Sequence, residues 1–260
     1  MHGAENVTGG RGTWVRTAVV VPTYNEASNL PRLAKRLLAL TPRVDLLVVD
    51  DASPDGTGDI ADGLAAAEPR VHVIHRTGPR GYSVASKEGL TWCLAEGFEA
   101  VATMDADLSH DPEVLPRLVA AVGAGVDLAI GSRYVEGGAL EVDWGIRRRA
   151  ISQLGGTYAR LMVGTHVRDC TSGFRCYRAE TLRRIPFARF ESEGYSFLIE
   201  VLAALTDLGA SSVEVPITYV DRVHGVSKIS GNIVREAFVR TTALGLARLT
   251  GARRRAALAR

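Results

Sequence analysis

The chain has 260 residues, which is enough to bury a full hydrophobic core in one large domain or two small ones. Hydrophobic residues make up 46% and charged residues 23% of the chain, so extended disorder is excluded over most of its length. No apolar run reaches the roughly 18 residues of a membrane-spanning helix, and no apolar stretch precedes Trp14, so we expect neither a spanning helix nor a secretory signal. Cys93, Cys170 and Cys176 form no CxxC pair, which predicts a reducing cytosol rather than a disulfide framework or a zinc site.

The net charge of +2 disfavours nucleic acid as a general partner. The charge is unevenly distributed, because the segment from Gly231 onward contains seven arginines and only one acidic residue, Glu236. Because this C-terminal segment is basic while the rest of the chain is mildly acidic, its positive charge indicates a local role.

Strands and helices alternate through the first half of the chain. Apolar, β-branched runs predict strands at residues 17–21, 44–49, 71–75, 99–104 and 127–131. Helical periodicity predicts helices at residues 29–40, 57–68 and 82–96, and a further helix that starts at Asp111-Pro112-Glu113. This alternation predicts an α/β fold with a mostly parallel sheet and helices on both faces.

The regular alternation of strands and helices ends after Gly131. A glycine-rich loop at 135–138 precedes predicted helices at 144–162 and 195–208, a strand at 212–220 and a last helix at 231–249. Pro216 inside the strand indicates an edge or a bulge. We therefore expect a flexible leader at 1–16, one domain at 17–230, and a basic amphipathic helix with its tail at 231–260.

Polar clusters follow three of the predicted strands. They are Pro22-Thr23-Tyr24-Asn25-Glu26, Asp50-Asp51 and Asp105-Ala106-Asp107. In open parallel sheets, ligands bind outside the carboxyl ends of the strands, where these clusters would meet if the strands are neighbours. Acids and prolines also end many strands as simple turn residues, but two pairs of acids on one edge repel each other unless a cation compensates them.

The spacing of Asp105 and Asp107 indicates a metal. Residues i and i+2 of a strand point the same way, so both carboxylates can face one hard cation such as Mg²⁺ or Mn²⁺. Such ions are held by one or two carboxylates together with substrate phosphates.

Two other nucleotide-binding classes are disfavoured. The first strand-to-helix turn reads P-T-Y-N-E and contains no glycine, so the G-x-G-x-x-G turn of nicotinamide enzymes is absent. No GxxxxGK[ST] motif of a P-loop occurs either.

The motifs taken together resemble the family 2 inverting glycosyltransferases, and within them the dolichyl- and polyprenyl-phosphate mannosyltransferases. The resemblance covers residues 17–232 and rests on VVVPTYNE (19–26), VVDDASPDGT (48–57), MDADLSHDPE (104–113), GSRY (131–134), DCTSGF (169–174) and DRVHGVSK (221–228). It implies a GT-A-like fold. The last motif, which follows an EVPI strand, is the more specific to enzymes that make polyprenyl-phosphate sugars.

The resemblance implies a donor-binding set at the strand ends, comprising Pro22, Tyr24, Glu26, Val49, Asp51, Asp105, Ala106 and Asp107. In this set Val49 and Asp51 lie beside the base and the ribose. Asp105 and Asp107 hold the metal, with Ser109 at the position where some relatives have a glutamine that approaches it.

The resemblance also implies a set of phosphate-binding cations. Arg133 matches an arginine near the reacting phosphates, and Arg148 matches one that contacts the acceptor phosphate. Arg222 and Lys228 match the pair that clamps the donor diphosphate. Asp107, Arg133 and Arg148 are the expected catalytic residues.

The implied reaction is the transfer of mannose from GDP-mannose to a polyprenyl monophosphate with inversion. A polyprenyl-phosphate glucosyltransferase, or a family 2 enzyme with another donor or acceptor, stays open as an alternative. A hydroxyl acceptor would need a carboxylate base, and the Q-x-x-R-W motif of many such relatives is absent. A third interpretation is a protein that binds nucleotide sugars without turnover. The presence of the expected catalytic and phosphate-binding residues Asp107, Arg222 and Lys228 disfavours it.

The chain departs from its relatives at two positions. Relatives often read G-L-G-x-A where this chain has Gly81-Tyr82-Ser83-Val84-Ala85, and they often have arginine where it has Gln153.

The C-terminal helix offers a route to a lipid acceptor. An apolar stripe is predicted from Ile233, Val234, Ala237, Phe238, Leu244 and Ala247, and Arg253-Arg254-Arg255 follow it. The stripe would serve either to pack the helix on the domain or to lie in the headgroup region of a membrane. The terminal arginines favour an anionic membrane surface, so we expect a cytoplasmic protein that is peripheral on the cytoplasmic face of the membrane.

Overall fold

The computed structural model of the chain describes residues 15–141, 146–190, 192, 194–220 and 231–251; for residues 146–151, 195, 231–234 and 236 it describes the main chain alone. The strands of this part are β1 (Thr17–Thr23), β2 (Asp45–Asp50), β3 (Val71–His75), β4 (Ala100–Thr103), β5 (Leu128–Ser132), β6 (Ala139–Glu141), β7 (Arg175–Arg178), β8 (Ser212–Pro216) and β9 (Thr218–Val220). The helices are α1 (Leu30–Leu38), α2 (Thr57–Ala67), α3 (Tyr82–Ala95), α4 (Leu115–Gly123), α5 (Ile146–Val163), α6 (Ala179–Leu182), α7 (Gly194–Asp207) and α8 (Gly231–Leu249).

Seven strands form the central sheet in the order β3-β2-β1-β4-β7-β5-β8. All neighbouring pairs are parallel except those of β7, which runs antiparallel to both β4 and β5. A second sheet pairs β6 with β9 in parallel. The prediction of a mostly parallel α/β sheet is confirmed. The three strands that the polar clusters follow lie side by side, with β1 between β2 and β4.

Both faces of the sheet are covered, which explains why the strands are continuous apolar runs. Val19 and Val21 belong to a buried cluster with residues of α1 and α4. Val20, which points the other way, belongs to a second cluster with residues of α3 and α7. Alternate side chains of a strand face opposite sides, so a strand between two helical layers needs apolar residues at every position.

Two features of the sheet differ from the prediction. The sequence of β7 reads R-C-Y-R and lacks the apolar run of a buried strand, so its insertion between β4 and β5 was not predicted. The strand predicted at 212–220 is in fact two strands in different sheets. The first, β8, ends at Pro216 on the edge of the large sheet, as proline's missing N–H requires.

Residues near both ends of the predicted domain make contacts with neighbouring elements. Arg16, placed in the leader by the prediction, donates through its main-chain N–H to Glu99 (2.8 Å), and its guanidinium lies 4.0 Å from the Phe98 ring centroid. Helix α8 packs against α5 and α7. Its Phe238 ring stacks on Tyr158 of α5, with 4.9 Å between centroids. Over the described residues, α8 is therefore part of the packed body, and none of the described helices combines the length and hydropathy needed to cross a bilayer.

A tight contact between α3 and the sheet gives a stability prediction. A Cβ added at Gly89 would overlap Val20 Cγ1 and lie 3.0 Å from Val49 Cγ2. We expect Gly89→Ala to lower the free energy of unfolding by about 1–3 kcal/mol through overpacking, despite the better helix propensity of alanine.

Urea unfolding measures this effect, and Gly63→Ala in α2 is the matched control. A Cβ at Gly63 meets no atom within 4 Å, so that substitution should raise stability by about 0.5–1 kcal/mol. Equal stability of the Gly89→Ala and Gly63→Ala proteins would contradict the packing argument.

Candidate active site

The carboxyl ends of β1, β2 and β4 meet at one edge of the sheet, and the chain turns sharply after each. Asn25, Ala52 and Leu108 follow these ends, with φ values of 59°, 54° and 61°. They are the non-glycine residues with positive φ in the described part of the chain. A left-handed conformation costs about 1–3 kcal/mol at such residues, and this kind of strain concentrates at functional sites.

The end of β1 carries the first predicted donor residues. Pro22, Tyr24 and Glu26 are all half-buried on this edge. The Tyr24 hydroxyl accepts a hydrogen bond from Arg80, whose guanidinium lies 4.9 Å from the Tyr24 ring centroid. The Glu26 carboxylate accepts from Asn29 Nδ2 at 2.8 Å. The edge therefore presents an aromatic ring, a guanidinium and a carboxylate whose positions are fixed by their neighbours.

The end of β2 carries the predicted donor residues Val49 and Asp51. The Val49 side chain is fully buried in the core, so only its main chain can lie beside a nucleotide. Asp51 is also buried, and its carboxylate accepts from the Arg76 guanidinium and from Gly81 N–H (2.7 Å). Because Arg76 also donates to Glu88 (2.9 Å), Asp51 helps to fix the loop from β3 to α3 at the edge of the site.

The end of β4 carries the acidic pair. Asp105 is half-buried, whereas Ala106 and Asp107 are buried. Ser109 N–H donates to Asp107 Oδ1 at 3.1 Å, which holds that carboxylate against the turn. Ser109 is itself fully buried, and its carbonyl accepts from Val220 N–H at 3.2 Å.

The acidic pair fits a hard divalent cation. Among the described residues, no group of three or more His, Cys, Asp or Glu side chains is placed to form a complete protein site. Asp105 and Asp107 would supply two carboxylate ligands to the metal. Mg²⁺ and similar ions are commonly bound in this way, with substrate phosphates and water as the remaining ligands.

Arg133 follows β5 and forms a buried ion pair with Asp169. Its Nε and Nη2 donate to the two Asp169 carboxylate oxygens at 2.8 and 2.7 Å, and Nη2 also donates to Thr171 Oγ1 at 3.0 Å. The side chains are 11% and 0% exposed, respectively. This forked geometry fixes the guanidinium plane and leaves Nη1 outside the pair.

The ion pair controls the charge of both groups. Burial alone would lower the pKa of Arg133, but hydrogen bonding and attraction to Asp169 outweigh it and raise the pKa. Burial opposes ionisation of Asp169, yet its bonds to Arg133 lower the pKa of that carboxyl. Both groups are therefore charged at neutral pH.

The loop that carries Asp169 is held from two sides. Glu214 of β8 accepts from the main-chain N–H groups of Arg168 and Asp169 at 2.8 and 2.9 Å. The fully buried Arg175 guanidinium donates to three carbonyls, those of Cys170 (2.7 Å), Ser172 (2.8 Å) and Leu198 (2.8 Å). Residues 169–175 thus form a fixed connection over the carboxyl ends of β4 and β5.

A cluster of rings lies near both the acidic pair and Arg133. His110 stacks on Phe174 at 5.3 Å and meets the edge of Tyr219 at 5.6 Å, while the Arg133 guanidinium lies 5.4 Å from the Tyr219 ring. Burial lowers the pKa of His110 to about 4, although the nearby Asp107 carboxylate opposes the change, so the imidazole is neutral at pH 7. Burial raises the pKa of Tyr219, and Asp107 adds to that increase.

Three predicted residues lie outside this description. The side chain of Arg148, and the whole of Arg222 and Lys228, fall outside the described residues. Conversely, the sequence argument assigned no role to Asp169, Arg76 or Tyr219. For Asp169 a signal was present, because it begins the motif DCTSGF (169–174).

Comparison with known proteins agrees with this architecture. Residues 18–185 match the family model Glycosyl transferase family 2, and the chain belongs to that family of glycosyltransferases. A polyprenol monophosphomannose synthase of Mycolicibacterium smegmatis is 48% identical over 89% of this chain and 87% of its own length. An undecaprenyl-phosphate mannosyltransferase of Micrococcus luteus is 49% identical over 90% of this chain and 95% of its own. A dolichol-phosphate mannosyltransferase of Pyrococcus furiosus is 36% identical over 85% of this chain and 61% of its own.

Solved structures share the fold at lower identity. Glucosyl-3-phosphoglycerate synthase from Mycobacterium tuberculosis, in complex with Mg²⁺ and UDP, superposes with a TM-score of 0.64 at 20% identity, covering 88% of this chain and 79% of the other. The same synthase with Mn²⁺, UDP and phosphoglyceric acid gives a TM-score of 0.65 at 20% identity, over 89% and 78%. The expected GT-A-like fold is confirmed.

The buried pair gives a prediction about stability. Asp169→Asn keeps the shape of the side chain but leaves the Arg133 guanidinium buried without its counter-charge. We expect this substitution to lower the free energy of unfolding by about 3–5 kcal/mol in urea, because breaking one side of a buried pair leaves an uncompensated charge.

The exposed pair of Arg36 with Asp111 supplies the control. Its side chains are 41% and 46% exposed, so Arg36→Ala should change stability by no more than about 1 kcal/mol. If Asp169→Asn lowered the free energy of unfolding no more than Arg36→Ala, the buried pair would not stabilise this part of the fold.

Proposed function

We propose that this chain transfers mannose from GDP-mannose to a polyprenyl monophosphate with inversion at the anomeric carbon, using a divalent metal. The observation that carries the proposal is that the Asp105/Asp107 carboxylates and the immobilised Arg133 guanidinium lie near the same two rings, those of His110 and Tyr219. A carboxylate pair beside a fixed guanidinium suits the joining of a nucleoside diphosphate sugar to a second phosphate. The names of the two relatives at 48–49% identity support mannose as the sugar and a polyprenyl phosphate as the acceptor.

The donor end of the site must stabilise a leaving nucleoside diphosphate. We assign Asp105 and Asp107 to a Mg²⁺ or Mn²⁺ ion, with Ser109 beside them, and Arg222 and Lys228 to the diphosphate. When bound, the ion supplies positive charge to the developing diphosphate anion. Pro22, Tyr24 and Glu26, with the Val49 main chain and Asp51, are assigned to the nucleoside, and Ala106 to the sugar side.

The acceptor end needs no protein base. The second pKa of a phosphate monoester is near 6, so the lipid phosphate is largely a dianion at neutral pH and can attack directly. What the protein must do is hold two anionic groups together. Arg133 and Arg148 are assigned this task, since guanidinium forks match phosphate oxygens. The Asp169 pair fixes the orientation of Arg133 in advance of binding.

A transfer assay tests this assignment. GDP-mannose and UDP-glucose are each incubated with polyprenyl phosphate or with polyprenol, in the presence of Mn²⁺. Of the four combinations, we expect only GDP-mannose with polyprenyl phosphate to give a lipid product. Asp107→Asn should reduce the rate at least about 100-fold, the scale on which removal of one electrostatic stabiliser acts, and should weaken Mn²⁺-dependent nucleotide binding.

Thermal unfolding of Asp107→Asn shows whether its fold is retained, so that the loss of rate refers to the chemistry. Preferred use of UDP-glucose or of polyprenol would overturn the assigned donor or acceptor. A near-normal rate for Asp107→Asn would overturn the role of the acidic pair.

We further assign the enzyme to the cytoplasmic face of a membrane as a peripheral protein. The neighbouring helices α5 and α8 leave large apolar side chains 58–78% exposed: Leu154, Leu161, Phe238, Val239, Leu246 and Leu249. Of the predicted stripe, Leu244 packs against the core, Phe238 is exposed, and the Ile233 and Val234 side chains lie outside the described residues. Arg235 and Arg248 are exposed on the same helix, and Arg253-Arg254-Arg255 follow it in the sequence.

Exposed apolar groups beside basic residues favour an anionic lipid surface.

Liposome binding tests the membrane assignment. Deletion of residues 252–260 should reduce co-sedimentation with anionic liposomes, most at low salt, because surface charges are screened within about 8–10 Å at physiological ionic strength. Leu246→Glu/Leu249→Glu should reduce it at all salt concentrations. Both proteins should bind donor nucleotide like the wild type. Equal sedimentation of truncated and full-length protein at low salt would remove the tail as a membrane contact.

A further inference from the structure

The last residue of the motif GSRY (131–134) has no role in the proposed function, yet its side chain makes contacts in two directions. The ring of Tyr134 lies beside the guanidinium of Arg133, whose Cζ is 5.2 Å from the ring centroid. The Tyr134 hydroxyl forms a hydrogen bond with Ser152 Oγ of α5 at 2.8 Å. Tyr134 therefore connects the end of β5 to α5, at the position next to Arg133.

The main chain that carries Tyr134 is fixed to the sheet. The Tyr134 N–H donates to Ser132 Oγ at 3.3 Å, and Ser132 is the fully buried last residue of β5. The Ser132 carbonyl accepts from Ile217 N–H at 3.0 Å. Because its main chain is held in this way, Tyr134 presents its hydroxyl to α5 from a preorganised position.

Helix α5 packs against other helices, namely α7 and α8. Its Leu154 is 70% exposed, so the helix lies at the surface at this point. Arg148 comes four residues before Ser152, so the two positions lie on the same face of the helix, one turn or about 6 Å apart along its axis. The bond between Tyr134 and Ser152 therefore holds this face of α5 at the end of β5, where Arg133 lies.

We propose that Tyr134 is a positioning residue, which sets the separation of Arg133 and Arg148 through its bond to Ser152. This inference rests on the proposed function, which assigns both arginines to the acceptor phosphate. The two arginines come from different elements, and both must reach the oxygens of one phosphate at the same time. A misplacement of about 1 Å can reduce a rate about 100-fold, so a bond between the two supporting elements affects transfer without touching a substrate.

Steady-state kinetics with detergent-solubilised polyprenyl phosphate and Mn²⁺ test this role. Tyr134→Phe keeps the ring beside Arg133 and removes only the hydroxyl. We expect kcat/KM for polyprenyl phosphate to fall about tenfold. The KM for GDP-mannose and the dissociation constant of GDP should change less than about twofold, because the donor is assigned to the ends of β1, β2 and β4.

A double-mutant cycle shows whether Tyr134 acts through Ser152. Tyr134→Phe and Ser152→Ala remove the same hydrogen bond from its two sides. The double variant should therefore lose no more than about a further twofold in kcat/KM beyond the larger single loss. Additive losses would give the two hydroxyls independent roles and would overturn the proposal. If Tyr134→Phe did not fold, Ser152→Ala would decide, since the bond is lost there too.

Tyr158→Phe is the matched control, because it removes a similar bond from the same helix. The Tyr158 hydroxyl bonds Thr242 Oγ1 of α8 at 2.5 Å and lies six residues beyond Ser152. Its loss should leave kcat/KM for polyprenyl phosphate within about twofold of the wild type. Equal losses in Tyr158→Phe and Tyr134→Phe would reflect a general loosening of α5 and would contradict a positioning role.

The outcomes separate this inference from the proposed function. If the wild type transfers mannose to polyprenyl phosphate and Tyr134→Phe has unchanged acceptor kinetics, the inference is overturned and the proposed function stands. The same holds if Tyr134→Phe weakens the use of donor and acceptor equally. If the wild type uses polyprenol but not polyprenyl phosphate, both are overturned, since there is then no acceptor phosphate to position.

Discussion

The buried ion pair of Arg133 and Asp169 is the interaction on which the site depends. It joins the end of β5 to the connection into β7, and Glu214 ties that connection to β8. Because β7 runs antiparallel between β4 and β5, the chain must enter it from the carboxyl edge of the sheet. The connection therefore lies over the edge at which the acidic pair follows β4. Without the pair, a buried charge on either partner would favour local opening at this place.

The same arrangement sets the charges at the site. Arg133 and Asp169 are both charged at neutral pH, whereas burial keeps the nearby imidazole of His110 neutral. Phe174, from the connection into β7, covers one face of that imidazole. The rings of His110, Phe174 and Tyr219 form an apolar surrounding next to the Arg133 guanidinium. The phosphate contacts that we propose for Arg133 would be stronger in such surroundings than in water.

Much of the fold and part of the site could be predicted from the sequence, because they depend on local patterns. The parallel strands are apolar at successive positions, and their ends carry polar clusters such as Asp105-Ala106-Asp107. The antiparallel strand β7 could not be predicted, since R-C-Y-R has no strand pattern and its buried Arg175 donates to carbonyls of the preceding loop and of Leu198 in α7. The partnership of Arg133 with Asp169 spans 36 residues of sequence, which no local pattern encodes. Nor could the pattern of α8 separate packing from membrane contact, because some apolar residues of this helix pack against the core and others are exposed.

In the proposed reaction the acceptor phosphate attacks as a dianion, oriented by arginines and without a protein base. The pH dependence of kcat/KM for polyprenyl phosphate tests it most directly, at saturating GDP-mannose and fixed Mn²⁺. We expect kcat/KM to rise once through about pH 6, the second pKa of a phosphate monoester, and then to stay constant to about pH 9. The plateau follows because the pKa of Arg133 is raised, so its charge persists across this range. A rate that keeps rising well above pH 7, or comparable transfer to polyprenol, would show a protein base at work and contradict the account.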